Sequence, residues 1–245
     1  MVSTERRLRL WNLAAAYAGA GPVTIEHVCN AAISATATDG AAIAVALTAT
    51  PRENIYSSSQ VASEVEELSL TLGEGPCADA LDGSLALIPD LSTAQCTARW
   101  PAFAPAAVAA GICSIFALPL QVGAIRLGVL DLYRAETGDL QHEQLLDALM
   151  LADTACALLL DAARDDVPQV PAQALEPVGL QHPEVHQATG MISVQLGLSA
   201  ALALIRLRAY AYTHDRRLRD VAGDVIARRL RFHPEDDGSG QSESD

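Results

Sequence analysis

The charge along this 245-residue chain changes sign twice, and that constrains its organisation more than any other feature. Residues 1–181 carry 8 Arg against 21 Asp and Glu, and residues 182–233 carry 8 Arg against 4. Residues 234–245 carry 5 acidic residues and no basic one. A single core gives no reason for such segregation. Two modules with different partners do, and a basic module is what binding to a polyanion requires. Between the two regions, residues 165–179 hold Pro168, Pro171 and Pro177 among few large apolar side chains, the composition of a stiff linker. The expected division is an acidic domain at 1–164, a Pro-rich linker at 165–181, a basic domain at 182–233 and an acidic, disordered tail at 234–245.

Half of the residues are apolar, enough for a substantial core, yet no uninterrupted apolar run is long enough to span a bilayer. Residues 1–20 have the outline of a signal peptide, with Arg6, Arg7 and Arg9 before a softly apolar run ending Ala18-Gly19-Ala20. Glu5, Asn12 and Tyr17 interrupt that pattern, while Leu10, Leu13, Ala14 and Tyr17 follow helical spacing, so a first helix of the fold is the simpler expectation. Five scattered cysteines (Cys29, Cys77, Cys96, Cys113, Cys156) without a CxxC pair suit neither a disulfide framework nor a zinc ribbon, and predict a reducing, cytoplasmic setting. His182 and His186 would share a helix face, but no nearby Cys or acidic cluster completes a metal shell. Without a P-loop, a GxSxG elbow, a GxGxxG turn or a kinase signature, no enzyme is expected.

In the acidic region, helix and strand signals alternate. Ile25 to Ala35 reads as a helix and Ala41 to Leu47 as a buried strand after the turn Asp39-Gly40. Further strands are expected near Ile55 and over Leu85 to Ile88, and a short helix over Pro101 to Ala110. Gly73-Glu74-Gly75-Pro76-Cys77 reads as a turn running into a short helix with Pro76 at its first position. Ser114 to Val122 and Arg126 to Tyr133 form a hairpin around Gly123. Leu140 to Leu160 is a long helix in which Leu145, Leu149, Ala152, Cys156 and Leu159 repeat at heptad spacing, a face that packs either on its own sheet or on a partner helix in a dimer.

This order of elements resembles a GAF domain over roughly Leu10 to Asp161, and Gly73 to Cys77 followed by Asp79-Ala80 is similar to the motif of actinobacterial GAF regulators. The resemblance implies an α+β sensor domain, an antiparallel sheet flanked by helices, with an unidentified small molecule or nothing in its pocket. No resident cofactor follows from it. A covalent bilin would need an exposed thiol, for which Cys77 at a helix start is the best-placed residue; the competing reading is a small buried Cys.

From His182 the text becomes three amphipathic helices. Pro183 and Glu184 open the first, Val185, Ala188 and Ile192 form its buried face, and Gly197 stops it. Ser199 caps the second, whose apolar face is either Leu202, Ile205 and Tyr210 or Ala203, Leu207 and Ala211. Leu218, Val221, Ala222, Val225, Ile226 and Leu230 mark the third. The solvent side carries Arg206, Arg208, Arg216, Arg217, Arg219, Arg228, Arg229 and Arg231. The last three read as a solvated face at a helix C-terminus. Arg216, Arg217 and Arg219, beside Tyr210, Tyr212 and His214, interleave guanidinium and stacking groups as recognition of single-stranded loops requires.

Gln187-Ala188-Thr189-Gly190-Met191, Leu196-Gly197-Leu198-Ser199, Leu207-Arg208 and Arg217 to Ala222 together resemble the ANTAR domain, an all-α three-helix RNA-binding module of antitermination regulators. The resemblance implies a homodimer whose two modules bind tandem RNA hairpins through their loops. Position by position, it makes Ala188 and Gly190 small residues of close approach on the first helix, and Arg217, Arg219 and Ala222 basic and small positions around the third; these, with Thr189, Arg206, Arg208, Tyr210, His214 and Arg216, are the expected RNA-binding residues. Thr189 departs from the family's common basic residue and is left as a single hydrogen-bond donor to phosphate. The competing readings are a ligand-responsive DNA-binding regulator and a protein-interaction module without a nucleic-acid target.

Overall fold

The computed structural model describes residues 2–47, 50–81, 83–123, 125–165 and 183–233. The expected linker and acidic tail, and His182, fall outside them apart from Asp165. The chain forms two units, Met1–Gln181 and His182–Asp245.

The first unit is built on a five-stranded sheet of order β2-β1-β5-β4-β3, antiparallel throughout, from β1 (Gly40–Leu47), β2 (Thr50–Ser57), β3 (Ala86–Ile88), β4 (Ser114–Val122) and β5 (Ile125–Arg134). Alternation along β5 explains why both faces are covered. Leu130 and Leu132 join one core with α1 (Val2–Ala18), α2 (Ile25–Thr36) and α7 (His142–Asp165). Val129 and Tyr133 enter the opposite cores with α3 (Gln60–Leu72), α4 (Pro76–Ala80), α5 (Ala94–Arg99) and α6 (Phe103–Ala109).

The N-terminal segment belongs to this packing. Leu10 and Ala14 are buried in the α2/α7 core, and Arg9 meets both carboxylate oxygens of Asp147 on α7 at 2.7 Å while Arg6 pairs with Glu143 and Asp147. Two helices escape the sequence reading. The inward face of α3 carries Glu66 and Ser69 among Ala62, Val65 and Leu70, which blurs its amphipathic pattern, although Ser59 caps it through Ala62 N–H and Gly73 ends it. α5 is six residues long, held by the cap Thr93, and too short to show a period.

The second unit consists of α8 (Pro183–Leu196), α9 (Ala200–Thr213) and α10 (Leu218–Ile226). Val185, Ala188 and Ile192 pack with Ala203, Leu204, Leu207 and Ala211, and with Leu218, Val221, Ala222 and Val225, all buried. This decides between the two faces of α9: Leu202 and Ile205 are the exposed pair. α10 ends four residues before Leu230 because Arg228 turns into the left-handed region, and the chain then brings Phe232 edge-on to Tyr210, 5.5 Å between ring centres. No single helix among the described residues is long and apolar enough to cross a membrane.

Candidate functional site

The basic surface is organised by the turn between α9 and α10. Tyr210, in the last turn of α9, stacks on His214 at 3.9 Å and 16°, and the ring nitrogen Nδ1 of His214 lies 2.9 Å from the Tyr210 carbonyl oxygen. Tyr212 is 61% exposed. Arg217 occupies the N-cap position of α10, and both it and Arg219 are exposed. Arg206 and Arg208 are half-buried on α9.

Arg216 reaches across the length of α10. Its guanidinium contacts Asp224 at 2.7 Å, and Asp224 also takes Arg229 at 2.6 Å. Those two hydrogen bonds, Arg216 first, hold the Asp224 carboxyl below its usual range, and the Asp224 bond raises the already high pKa of Arg216. Arg216 and Arg229 therefore tie the two ends of α10 to one carboxylate, while Arg219, in its first turn, lies 3.9 Å from Asp220.

Three residues assigned to RNA contact lie inside the module instead. Ala188 and Ala222 are fully buried in its core, where their small size suits close helix packing. Thr189 is 5% exposed and its hydroxyl donates to the Val185 carbonyl at 2.7 Å, so it is not a phosphate donor. Gly190 is exposed, and a Cβ placed on it would meet no atom within 4 Å. It faces an open groove of about 590 Å³ lined by Gln187, Met191, Val194 and Gln195 of α8 and by Arg228 and Arg231 beyond α10. Sequence reasoning missed this groove, since it depends on where the chain goes after α10.

In the first unit the Gly-Glu-Gly-Pro-Cys run is a junction with a task at each position. Gly73 ends α3 at φ +71°, and Pro76 starts α4. Glu74 Oε1 accepts from the backbone N–H groups of Ala102 and Phe103, at 2.8 and 2.7 Å, where α6 begins. Gly75 has φ +123°, and a Cβ there would lie 3.2 Å from the Phe103 ring, so only glycine fits. Cys77 is 4% exposed, which removes the exposed thiol that a covalent bilin would need. Its sulfur and carboxylate oxygens of Glu66 and Asp131 lie within 4.8 Å of one another, a buried donor set of the kind that holds a divalent cation. The Tyr133 hydroxyl donates to Glu66, and burial together with the Glu66 charge pushes the tyrosine pKa well above its ordinary value.

The heptad face of α7 is split. Ala152 and Cys156 are buried in the domain core and Leu159 packs against it, so these three take the intramolecular reading; Leu145 is half-exposed and Leu149 is 37% exposed. Of the five heptad positions, Leu145 and Leu149, in the first two turns, are the ones that do not belong to this core.

The first unit has a GAF-like fold. It is similar to the GAF domain of a phosphoenolpyruvate-protein phosphotransferase from Coxiella burnetii, with a TM-score of 0.52 and 15% identity over 66% of this chain and 96% of that one. The GAF domain of the Acinetobacter phosphoenolpyruvate-protein phosphotransferase matches at a TM-score of 0.50 and 12% identity, over 67% of this chain and 97% of that one. No family model and no curated protein matches the sequence.

Proposed function

We propose that this chain is an RNA-binding regulator of transcription antitermination, in which the GAF-like unit is a sensor and the basic three-helix module binds paired hairpin loops in nascent mRNA. The observation that carries this reading is the α9–α10 turn, where exposed Arg217 and Arg219 adjoin exposed Tyr212 and the Tyr210–His214 stack. Guanidinium groups bind phosphate bidentately and aromatic rings receive unpaired bases, the combination that unstacked loop nucleotides need. The resemblance to ANTAR modules supports the same conclusion. The homodimer supplies two modules for two hairpins, and a small molecule in the GAF-like unit shifts the population in which both are aligned.

Competition tests the reading against DNA binding. Purified protein is bound to a labelled tandem-hairpin RNA and challenged with unlabelled hairpin RNA or with duplex DNA of equal charge. Hairpin RNA is expected to compete about tenfold or more better, because a duplex keeps its bases stacked. Equal competition by both polyanions contradicts the proposal.

A further inference from the structure

Two residues of the second unit occupy positions that the chain's own packing disfavours, and both line the same groove. Gly190 lies in the interior of α8, where glycine is less stable than alanine, yet an added Cβ meets nothing within 4 Å. No contact within the second unit calls for its missing side chain. Arg228 has φ +58° at the turn ending α10, a position that glycine fills at least strain. The turn is closed by backbone bonds and the Arg229–Asp224 pair: Arg228 N–H donates to the Val225 carbonyl at 3.0 Å, Arg229 and Leu230 N–H donate to the Asp224 carbonyl at 2.8 and 3.1 Å, and Arg229 Nε donates to the Asp224 carboxylate at 2.7 Å. The Arg228 side chain is not what closes it. When two locally unfavourable residues converge on one surface, the reason is sought in what that surface binds.

Charge and shape say what that is. Arg216 and Arg229 both engage Asp224, whereas among the described residues Arg228 and Arg231 have no acidic partner. Val194, on the opposite wall, is 84% exposed, and Met191 beside it is half-exposed. Gln195 accepts the Phe232 N–H at 3.1 Å through Oε1, which leaves its amide NH2 as a donor, and Gln187 offers an exposed amide. An apolar wall, a floor without a side chain, amide groups and two guanidiniums match the face, edge and phosphate of a nucleotide.

We propose that this groove is the subsite for one unstacked nucleotide of the bound RNA. Its base lies over Gly190 against Met191 and Val194, and its flanking phosphates meet Arg228 and Arg231. The inference rests on the RNA reading above and adds a second contact region to the α9–α10 turn. A second copy of this module fits the groove less well, because residues 182–233 carry 8 Arg against 4 acidic residues and two such surfaces repel.

The test uses full-length protein and a tandem-hairpin RNA, comparing wild type with Gly190→Ala, Arg228→Gly and Arg217→Ala. Gly190→Ala and Arg228→Gly are each expected to hold or raise the melting temperature while weakening RNA binding about 5- to 20-fold. Removing the base of the critical loop nucleotide should abolish the effect of Gly190→Ala. If the wild type does not bind RNA, the functional reading falls and the subsite with it. If Arg217→Ala weakens binding and the two groove variants bind as wild type, the RNA reading stands and the subsite is wrong. A melting temperature lowered by Arg228→Gly, or self-association altered by either groove variant in sedimentation, also overturns the proposal, the latter in favour of an interface between copies.

Discussion

Replacing Glu74 with alanine should destabilise the GAF-like unit by about 2 kcal/mol. The figure follows from the geometry. One carboxylate oxygen accepts two backbone N–H groups, from Ala102 at 2.8 Å and Phe103 at 2.7 Å, and the N-cap residue Ala102 has no side chain to replace it. A charged acceptor contributes about 1.5–3 kcal/mol per hydrogen bond, less here because both bonds share one half-exposed group. Glutamine retains a carbonyl oxygen with the same reach, so Glu74→Gln loses only the charge and should cost about 0.5–1 kcal/mol. Urea unfolding of the full chain, followed by fluorescence of Trp100, reads both variants, since that indole is 2% exposed in the core just before α6. Equal losses for alanine and glutamine, or an alanine variant within about 0.5 kcal/mol of wild type, would refute the capping role.

The thiols should react in order of exposure. Burial, with a smaller contribution from the Glu26 charge, raises the Cys29 pKa far above the ordinary thiol range, while Cys113 is the partly exposed cysteine. An iodoacetamide time course read by mass spectrometry should label Cys113 first and Cys29 last; labelling of Cys29 or Cys77 as fast as Cys113 contradicts the packing. Asp224 predicts a pH effect. Its carboxyl is held below the ordinary value of 3.8 in the folded state, so the stability it contributes is complete above about pH 4 and disappears as pH falls through the lower folded value. Asp224→Asn should therefore destabilise the protein at neutral pH and flatten the acid limb of an unfolding curve; an unchanged acid limb means that the Arg216–Asp224–Arg229 bridge contributes nothing.

What the sequence makes legible here is local periodicity. The β4–β5 hairpin around Gly123, the strand after Asp39-Gly40 and the helices α2, α7 and α8 all announce themselves through spacing and turn residues. The failures are non-local. Glu66 breaks the apolar face of α3 because its partner Tyr133 lies 67 positions away. Leu230 continues the spacing of α10 on paper, but the left-handed turn at Arg228 removes it from the helix. Thr189 shows its chemistry in the sequence and not its facing, and a rotation toward the core turned an expected phosphate donor into a bond within its own helix. The arginines show the same limit: that Arg216 is held by a carboxylate eight positions on, and that the exposed Arg228 and Arg231 line one groove, depends on packing that their spacing does not display.

RNA recognition by the basic module is measured most directly by a mobility-shift titration of the full chain against a tandem-hairpin RNA and a mutated-loop control, at two salt concentrations, with Arg217→Ala beside wild type. Tight, loop-dependent binding that weakens with salt, and that Arg217→Ala reduces by about 1 to 3 kcal/mol, is the predicted result. Weak binding that is equal for both RNAs and untouched by Arg217→Ala would contradict it.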